Sequence, residues 1–274
     1  KKKKKGEKRG RREEEREGKG EEKEKKNSLK KLCADTLGIE EEQILASDLY
    51  LYCREKGRRM GVEGEFIGSP RLDDLQCAYG TLMGFLASEK GKEDRAVAGE
   101  YGAVYALFDN EEIGSGTKQG ADSTFLSDII DCIYDPCGRN GMQKRDILSE
   151  SFLLSADNAH GVHSNHPEKS DPTTRPYLNG GIVLKFQGSQ KYTTDSYSAA
   201  VIRDICREQD IPCQNFANRA DVPGGSTLGN ISSAHVSIPA ADSGLAQLAM
   251  HSAFETAGEK DTEYLVRLCQ GFFR

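Results

Sequence analysis

The chain has 274 residues and a formal net charge of −6, with eight cysteines and no tryptophan. Its acidic balance argues against nucleic acid as the main partner, because nucleic-acid-binding domains concentrate Lys and Arg on the surface that meets phosphate. No apolar run approaches the roughly 18 residues that a membrane span needs. The cysteines form no CxxC pair, so we expect reduced thiols in a cytoplasmic protein rather than a disulfide framework.

The first residues differ sharply in composition from the rest. Residues 1–26 comprise 14 basic residues, 8 acidic residues and 4 glycines. A segment without apolar side chains has nothing to bury, so the sequence predicts a disordered charged tail over 1–27. Such a tail is either a flexible extension or a weak contact for phosphate or a membrane surface. Residues 28–274 are expected to form the folded domain.

The folded part alternates helical and strand patterns. Because strands alternate with helices, we expect an α/β sandwich built on a mixed or parallel sheet, with its chemistry at strand ends. In chain order, apolar periodicity and turn residues predict a helix over 28–38, a strand over 48–53, a Gly-rich turn over 61–70, a helix over 74–87, a strand over 103–108, a helix over 123–134, strands over 152–155 and 182–186, a helix over 196–208, strands over 216–219 and 236–239, and helices over 252–257 and 261–273.

Acidic and histidine residues fall just after predicted strands or at the predicted starts of helices. They are Asp73, Glu111, Glu112, Asp157 and His251. A hydrolytic two-metal site needs such parts: a bridging carboxylate, further carboxylate and imidazole ligands, and one carboxylate that deprotonates water. Each residue alone also has a structural explanation. An Asp commonly caps a helix or starts an Asx turn, adjacent glutamates commonly form a solvated turn, and a lone histidine commonly packs in a core.

Three of the five histidines, His160, His163 and His166, lie within seven residues. The cluster is compatible with a site and equally with a polar loop. The chain has no HExxH motif and no cysteine pair. The residues alone therefore indicate a possible carboxylate-rich metal site and go no further.

Longer strings give a resemblance to a known family. In order, they are RLDDL at 71–75, DNEEIGS at 109–115, SADNAHGVH at 155–163 and QLAMHS at 247–252, together with Lys185, Lys191-Tyr192 and GSTLG at 225–229. The chain resembles, from about Leu29 to Arg274, the aspartyl aminopeptidase and vacuolar aminopeptidase I family of zinc metallopeptidases. The resemblance implies a mixed-sheet α/β/α sandwich of the zinc exopeptidase type and a catalytic metallopeptidase domain over 28–274.

The resemblance also implies a metal site and a reaction. The enzyme would remove N-terminal residues, preferably Asp or Glu, from peptides with two zinc ions. Asp73 would bridge the ions, Asp157 would bind the first, and Glu112 and His251 would bind the second. Glu111 would be the general base that activates water.

Further roles follow from the same resemblance. Asp74 would orient the metal ligands. Lys185 would pair with the acidic side chain of the substrate, which gives a selectivity that an apolar pocket cannot supply. His160 and Tyr192 would contact the substrate or stabilise the oxyanion. Taken without the resemblance, Lys185 could equally be an ordinary lysine at a strand edge.

One family feature has no counterpart in the sequence, namely an early His-x-Asp motif that carries a ligand of the first metal. We therefore expect that the N-terminal catalytic segment and most of the assembly domain are missing, although the family forms homo-oligomers, and that the first zinc site is incomplete. Losing an imidazole should weaken zinc binding. Three hypotheses stay open: an active enzyme with the histidine replaced or supplied by another chain, a catalytically incomplete remnant or binding subunit, and an aminopeptidase that prefers neutral N-terminal residues.

Overall fold

A computed structural model describes residues 29–89, 102–138 and 141–273. The predicted tail over 1–27 lies outside these residues. The chain divides into two units, Lys1–Tyr52 and Cys53–Arg274. No helix among the described residues is long and apolar enough to cross a membrane.

The described part of the first unit contains two short helices. Helix α1 spans residues 29–37, which confirms the helix predicted there, and a 3-10 turn follows at Glu41–Gln43. The strand predicted over 48–53 is wrong, because these residues have no regular secondary structure. Their apolar side chains are exposed: Leu49 is 57% and Leu51 104% accessible. The apolar residues of this segment therefore suggested a strand that does not form.

The second unit is built on a mixed sheet, as predicted. Its strand order is β1-β2-β8-β7-β5-β6, with β3 and β4 also paired to β7. The pairs β3–β7, β4–β7 and β5–β6 are parallel, and the others are antiparallel. The strands are β1 Arg58–Met60, β2 Phe66–Ser69, β3 Leu153–Ala156, β4 Ala159–His160, β5 Ile182–Phe186, β6 Cys213–Ala217, β7 Ala240–Leu248 and β8 Glu255–Gly258.

Helices occupy most of the connections between the strands. They are α2 Leu72–Glu89, α3 Phe125–Tyr134, α4 Gly141–Glu150, α5 Ser196–Glu208, α6 Leu228–Ser233 and α7 Asp261–Phe272. Helix α5 begins where Asp195 accepts a hydrogen bond from the backbone N–H of Ser198, a reciprocal capping box. Helices α2 and α7 approach closely at Gly84, where a Cβ would lie 2.4 Å from the Cβ of Cys269.

Alternation along β5 divides the core between the two faces of the sheet. Ile182 and Leu184 belong to the apolar cluster that includes residues of α2, α5 and α7. Val183 belongs to a second cluster, with Tyr192 and Phe216. Since side chains alternate between faces along a strand, Lys185 points to the same face as Val183. This alternation positions Lys185 on the face where the candidate site residues collect.

Several predicted elements are confirmed and others are wrong. The helices predicted over 74–87, 123–134, 196–208 and 261–273 and the strands predicted over 152–155 and 182–186 are present within one to two residues at most ends. The strand predicted over 216–219 begins earlier, at Cys213. The turn predicted over 61–70 ends in β2, so that only its first part is a turn between two strands.

Three predictions in the second unit are wrong. Residues 103–108 form no strand, because Ala106 and Phe108 pack against α3 without joining the sheet. Residues 236–239 are irregular, and the strand begins after them as β7. The helix predicted over 252–257 is absent: residues 252–254 are irregular, and the rest belongs to β8, which pairs with β2 and β7. Tertiary pairing decided the structure of this short segment over its weak helical pattern.

Candidate metal centre

The predicted ligands come from four separate segments that end near one another. Asp73 lies at the start of α2, and Asp157 lies between β3 and β4. Glu112 lies in a 3-10 helix, Glu111–Ile113, and His251 lies in the turn between β7 and β8. The expectation that His251 precedes a helix is wrong, since β8 follows it.

Two sets of possible ligands share one residue. Asp73, Glu112 and His251 each offer a ligand atom within 4.8 Å of the others. The Nε2 of His251 lies 3.1 Å from Oδ2 of Asp73 and 3.1 Å from Oε2 of Glu112. Asp73, Asp74 and Asp157 form a second set by the same distance criterion. The geometry therefore gives Asp73 access to both sets.

The carboxylates of the site repel one another. Burial, followed by repulsion from Asp157 and Glu112, raises the pKa of Asp73 to about 8. The same causes in the same order raise the pKa of Glu111 to about 7. Burial and the charge of Asp157 also raise the pKa of Asp74 well above its ordinary value. Bound cations would relieve this repulsion.

The donor chemistry fits divalent zinc. Zinc accepts carboxylate oxygen and imidazole nitrogen, and both are present in the set of Asp73, Glu112 and His251. The set of Asp73, Asp74 and Asp157 offers oxygen alone. Among the described residues, the histidines His160, His163 and His166 join neither set. None of these three histidines therefore supplies the missing imidazole to the set of Asp73, Asp74 and Asp157.

Lys185 is a buried cation that contacts one of the carboxylates. Its Nζ donates a hydrogen bond to Oδ2 of Asp157 at 3.0 Å, and its residue is only 2% exposed. Burial is the largest effect and opposes the charge of the ammonium, but Asp157, Tyr192 and Asp242 together outweigh it and keep the pKa of Lys185 above the ordinary value. The Nζ also lies 5.7 Å from the ring centroid of Tyr192, which is a cation–π distance.

The histidine-rich loop contributes one side chain near the carboxylates. His160 lies on β4 with its ring tilted against Phe216, at 6.3 Å between centroids. Desolvation, followed by the charges of Lys185 and His251, lowers the pKa of His160. His163 and His166 instead contact each other, with ring centroids 5.4 Å apart. The charges of the site therefore act on His160.

Sequence reasoning missed two supporting residues. The Nδ2 of Asn158 donates to the carbonyl oxygen of Leu72, and its backbone N–H donates to Oδ1 of Asp74. Glu255 accepts hydrogen bonds from the backbone N–H groups of Asp73 and His251. The string at 155–163 contains Asn158 and could have pointed to it. Nothing in the sequence pointed to Glu255, because its segment was expected to be helical.

Comparisons with known proteins agree with one another. Residues 4–273 match the family model described as aminopeptidase I zinc metalloprotease, M18. The chain is 44% identical over 250 residues to the "Probable M18 family aminopeptidase 2" of Clostridium acetobutylicum, which covers 91% of this chain and 56% of that protein. It is 34% identical over 236 residues to the protein of the same name from Pseudomonas savastanoi pv. phaseolicola, covering 86% and 52%.

Solved structures show the same fold. The crystal structure of prApe1 superposes with a TM-score of 0.79 at 28% identity, covering 90% of this chain and 51% of that one. A cryo-EM structure of an Ape4 and Nbr1 complex gives a TM-score of 0.77 at 35% identity, covering 86% and 44%. An S. cerevisiae mApe1 dodecamer gives 0.76 at 28% identity, covering 90% and 54%. The chain spans about half the length of the curated relatives that it matches.

Proposed function

The chain belongs to the aminopeptidase I zinc metalloprotease family, M18, and from this premise we propose that it is a zinc-dependent aminopeptidase. The proposed reaction is the hydrolysis of the first peptide bond of a peptide, with preference for N-terminal Asp or Glu. We assign it to a catalytic domain over residues 28–274. The relatives are named aminopeptidases, and this supports the reaction class.

The observation that carries the proposal is the pair of ligand sets that share Asp73. We assign Asp73 as the bridging ligand, Asp157 to the first zinc, and Glu112 and His251 to the second. Asp74 orients ligands or contributes one of its own oxygens to the set of Asp73, Asp74 and Asp157. Two bound zinc ions would supply Lewis-acid polarisation of the scissile carbonyl and lower the pKa of the attacking water.

The general base in this proposal is Glu111. Its raised pKa of about 7 suits a group that must both accept and release a proton near neutral pH. Glu111 takes a proton from the attacking water and later returns it to the leaving amine. Glu112, its neighbour, contacts His251 instead, so the adjacent glutamates divide the two tasks.

Selectivity for an acidic first residue is assigned to Lys185, with His160 and Tyr192 as further substrate contacts. A buried ammonium beside an aromatic face would favour a carboxylate over an apolar side chain. The ion pair with Asp157 favours a second candidate, an aminopeptidase that prefers neutral residues, because Lys185 already has a partner. Comparing peptides that begin with Asp and Leu separates the two.

A zinc titration tests the shared ligand. Calorimetry of the metal-free chain should give two zinc ions per chain, and the ion at Asp157 should bind more weakly because no imidazole joins that set among the described residues. Asp73→Ala should weaken both binding events, whereas Asp157→Ala and Glu112→Ala should each weaken one of them. Equal and independent weakening by all three variants would contradict the bridging role of Asp73.

We also infer that the chain forms homo-oligomers and acts on peptides in the cytoplasm. One similar structure is a dodecamer, which supports assembly. Sedimentation velocity of the purified chain tests this inference. A monomer across the concentration range would contradict it.

A further inference from the structure

Glu255 lies between two segments that carry proposed ligands, the start of α2 and the turn between β7 and β8. Its Oε2 accepts the backbone N–H of Asp73 at 3.0 Å, and its Oε1 accepts the backbone N–H of His251 at 2.8 Å. One carboxylate thereby joins segments that lie 178 residues apart in the chain. The side chains of the two donor residues also contact each other, with Nε2 of His251 3.1 Å from Oδ2 of Asp73.

The backbone of Glu255 is held in place by the sheet. The residue is 2% exposed, and its backbone pairs with Ser69 in the ladder between β2 and β8. A buried carboxylate that accepts two N–H groups is a strong and directional contact, because the acceptor is charged and desolvated. The sheet therefore holds both loops through a single side chain.

One of the two residues that donate to Glu255 has a left-handed backbone conformation. This residue is His251, whose φ is 65°. Residues other than glycine adopt this left-handed region at a cost in free energy, and keep it only where surrounding contacts hold it. The hydrogen bond to the N–H of His251 is such a contact.

We propose that Glu255 is a positioning residue that sets the separation and orientation of Asp73 and His251 as metal ligands. This inference rests on the proposed metal centre. Glu255 binds no metal in this role and acts through the backbone of the two ligands. Removing one of its two hydrogen bonds should let the ligands spread and should weaken metal binding about 10- to 100-fold, as for other groups that orient metal ligands.

Asp261 provides a matched control elsewhere in the fold. It is fully buried and also accepts two backbone N–H groups, from Asn179 at 2.7 Å and Gly181 at 3.0 Å. Asp261→Asn therefore removes the same kind of hydrogen bond at a place that carries no proposed ligand. It measures what the loss of such a bond does to the fold alone.

The test is a Co²⁺ titration of metal-free protein, in which binding is measured by calorimetry and by the visible absorption of the bound ion. In Glu255→Gln, an amide nitrogen replaces one carboxylate oxygen and cannot accept a hydrogen bond from the backbone N–H that it faces. Glu255→Asp keeps the charge but is one methylene too short to reach both groups. We expect both variants to bind Co²⁺ about 10- to 100-fold more weakly with an altered spectrum, and Asp261→Asn to bind as the wild type does.

Each outcome decides a separate point. Wild-type affinity and spectrum in Glu255→Gln would overturn the inference and leave the metal centre intact. If that variant does not fold, Glu255→Asp decides in the same way. Equal weakening in Asp261→Asn would show a general loss of stability and would also overturn it. A wild-type chain that binds no Co²⁺ would remove the metal centre, and the inference with it.

Discussion

The ammonium of Lys185 donates to the carboxylate of Asp157 at 3.0 Å, and both side chains are largely buried. Asp157 is one of the residues assigned to the first metal, so this cation lies beside the proposed reaction centre. Lys185 can therefore act on the substrate, on Asp157, or on both. Substrate comparison separates these roles because only a direct contact distinguishes one peptide from another.

Lys185→Met keeps the apolar stem and removes the charge. If Lys185 binds the acidic side chain, kcat/KM for a peptide with N-terminal Asp should fall about 10- to 100-fold more than for the matching Leu peptide, the worth of one hydrogen bond to a charged group. Lys260→Met makes the same substitution at an exposed lysine with no assigned role and serves as the control. An equal fall for both peptides would show that Lys185 acts through Asp157 and does not contact the side chain of the substrate.

Glu111→Gln removes the proposed base and keeps the shape of the side chain. Turnover should fall about 10²- to 10⁴-fold, the usual contribution of a positioned base. Zinc affinity should stay at the wild-type value, because Glu111 is assigned no ligand role. Calorimetry with zinc and peptide hydrolysis on the same preparation measure both. Retained turnover would remove Glu111 from the base role.

Gly244 is required where β7 passes Asp157. A Cβ at this position would lie 1.7 Å from the carbonyl oxygen of Asp157. Gly244→Ala should therefore destabilise the fold by about 1–3 kcal/mol or more and displace Asp157, so that zinc binding weakens as well. Thermal unfolding and zinc titration check the two effects.

Gly188 supplies the control for that substitution. A Cβ there would meet nothing within 4 Å. Gly188→Ala should change the free energy of unfolding by no more than about 0.5 kcal/mol. Similar melting temperatures for both alanine variants would contradict the contact between Gly244 and Asp157.

Asp261 predicts a pH dependence of stability. Its burial outweighs two hydrogen bonds and raises its pKa to about 6. In the unfolded chain Asp261 has the ordinary pKa of an aspartate, about 4, so the folded state binds the proton more tightly than the unfolded state does. The contribution of Asp261 to the free energy of unfolding is therefore full below about pH 4 and falls as the pH rises to about 6. In Asp261→Asn this contribution is absent.

Chemical denaturation of the wild type and Asp261→Asn across this range checks the prediction. As the pH rises from about 4 to about 6, the wild type should lose up to about 3 kcal/mol of its free energy of unfolding relative to the variant. Above this range the difference between the two should stay constant. A difference independent of pH would show that Asp261 does not titrate in this window.

The helices and the buried strand β5 were predictable because their patterns are local. IVLKF at Ile182–Phe186 is a run of strand-forming residues, and α5 carries its own capping box. Strand β7 was not predictable, since AADSGLAQL consists mostly of small and polar residues. It becomes a strand because it pairs with four others, and no local pattern encodes those partners.

The candidate site shows the same division. The strings at 71–75, 109–115 and 247–252 pointed to Asp73, Glu112 and His251, and the fold brings their ligand atoms within 4.8 Å. Glu255 escaped notice because its role depends on β8, which pairs with β2 and faces two loops distant in sequence. Residues that bind through backbone groups of other segments leave no motif.

The most direct test of the proposed activity is the release of Asp from a peptide by the purified chain. The folded, zinc-loaded protein is compared with Glu111→Gln and with protein treated with a chelator. We predict zinc-dependent release well above both. No release by a folded chain that has bound two zinc ions would contradict the account and leave a binding subunit or a catalytically incomplete relative of the family.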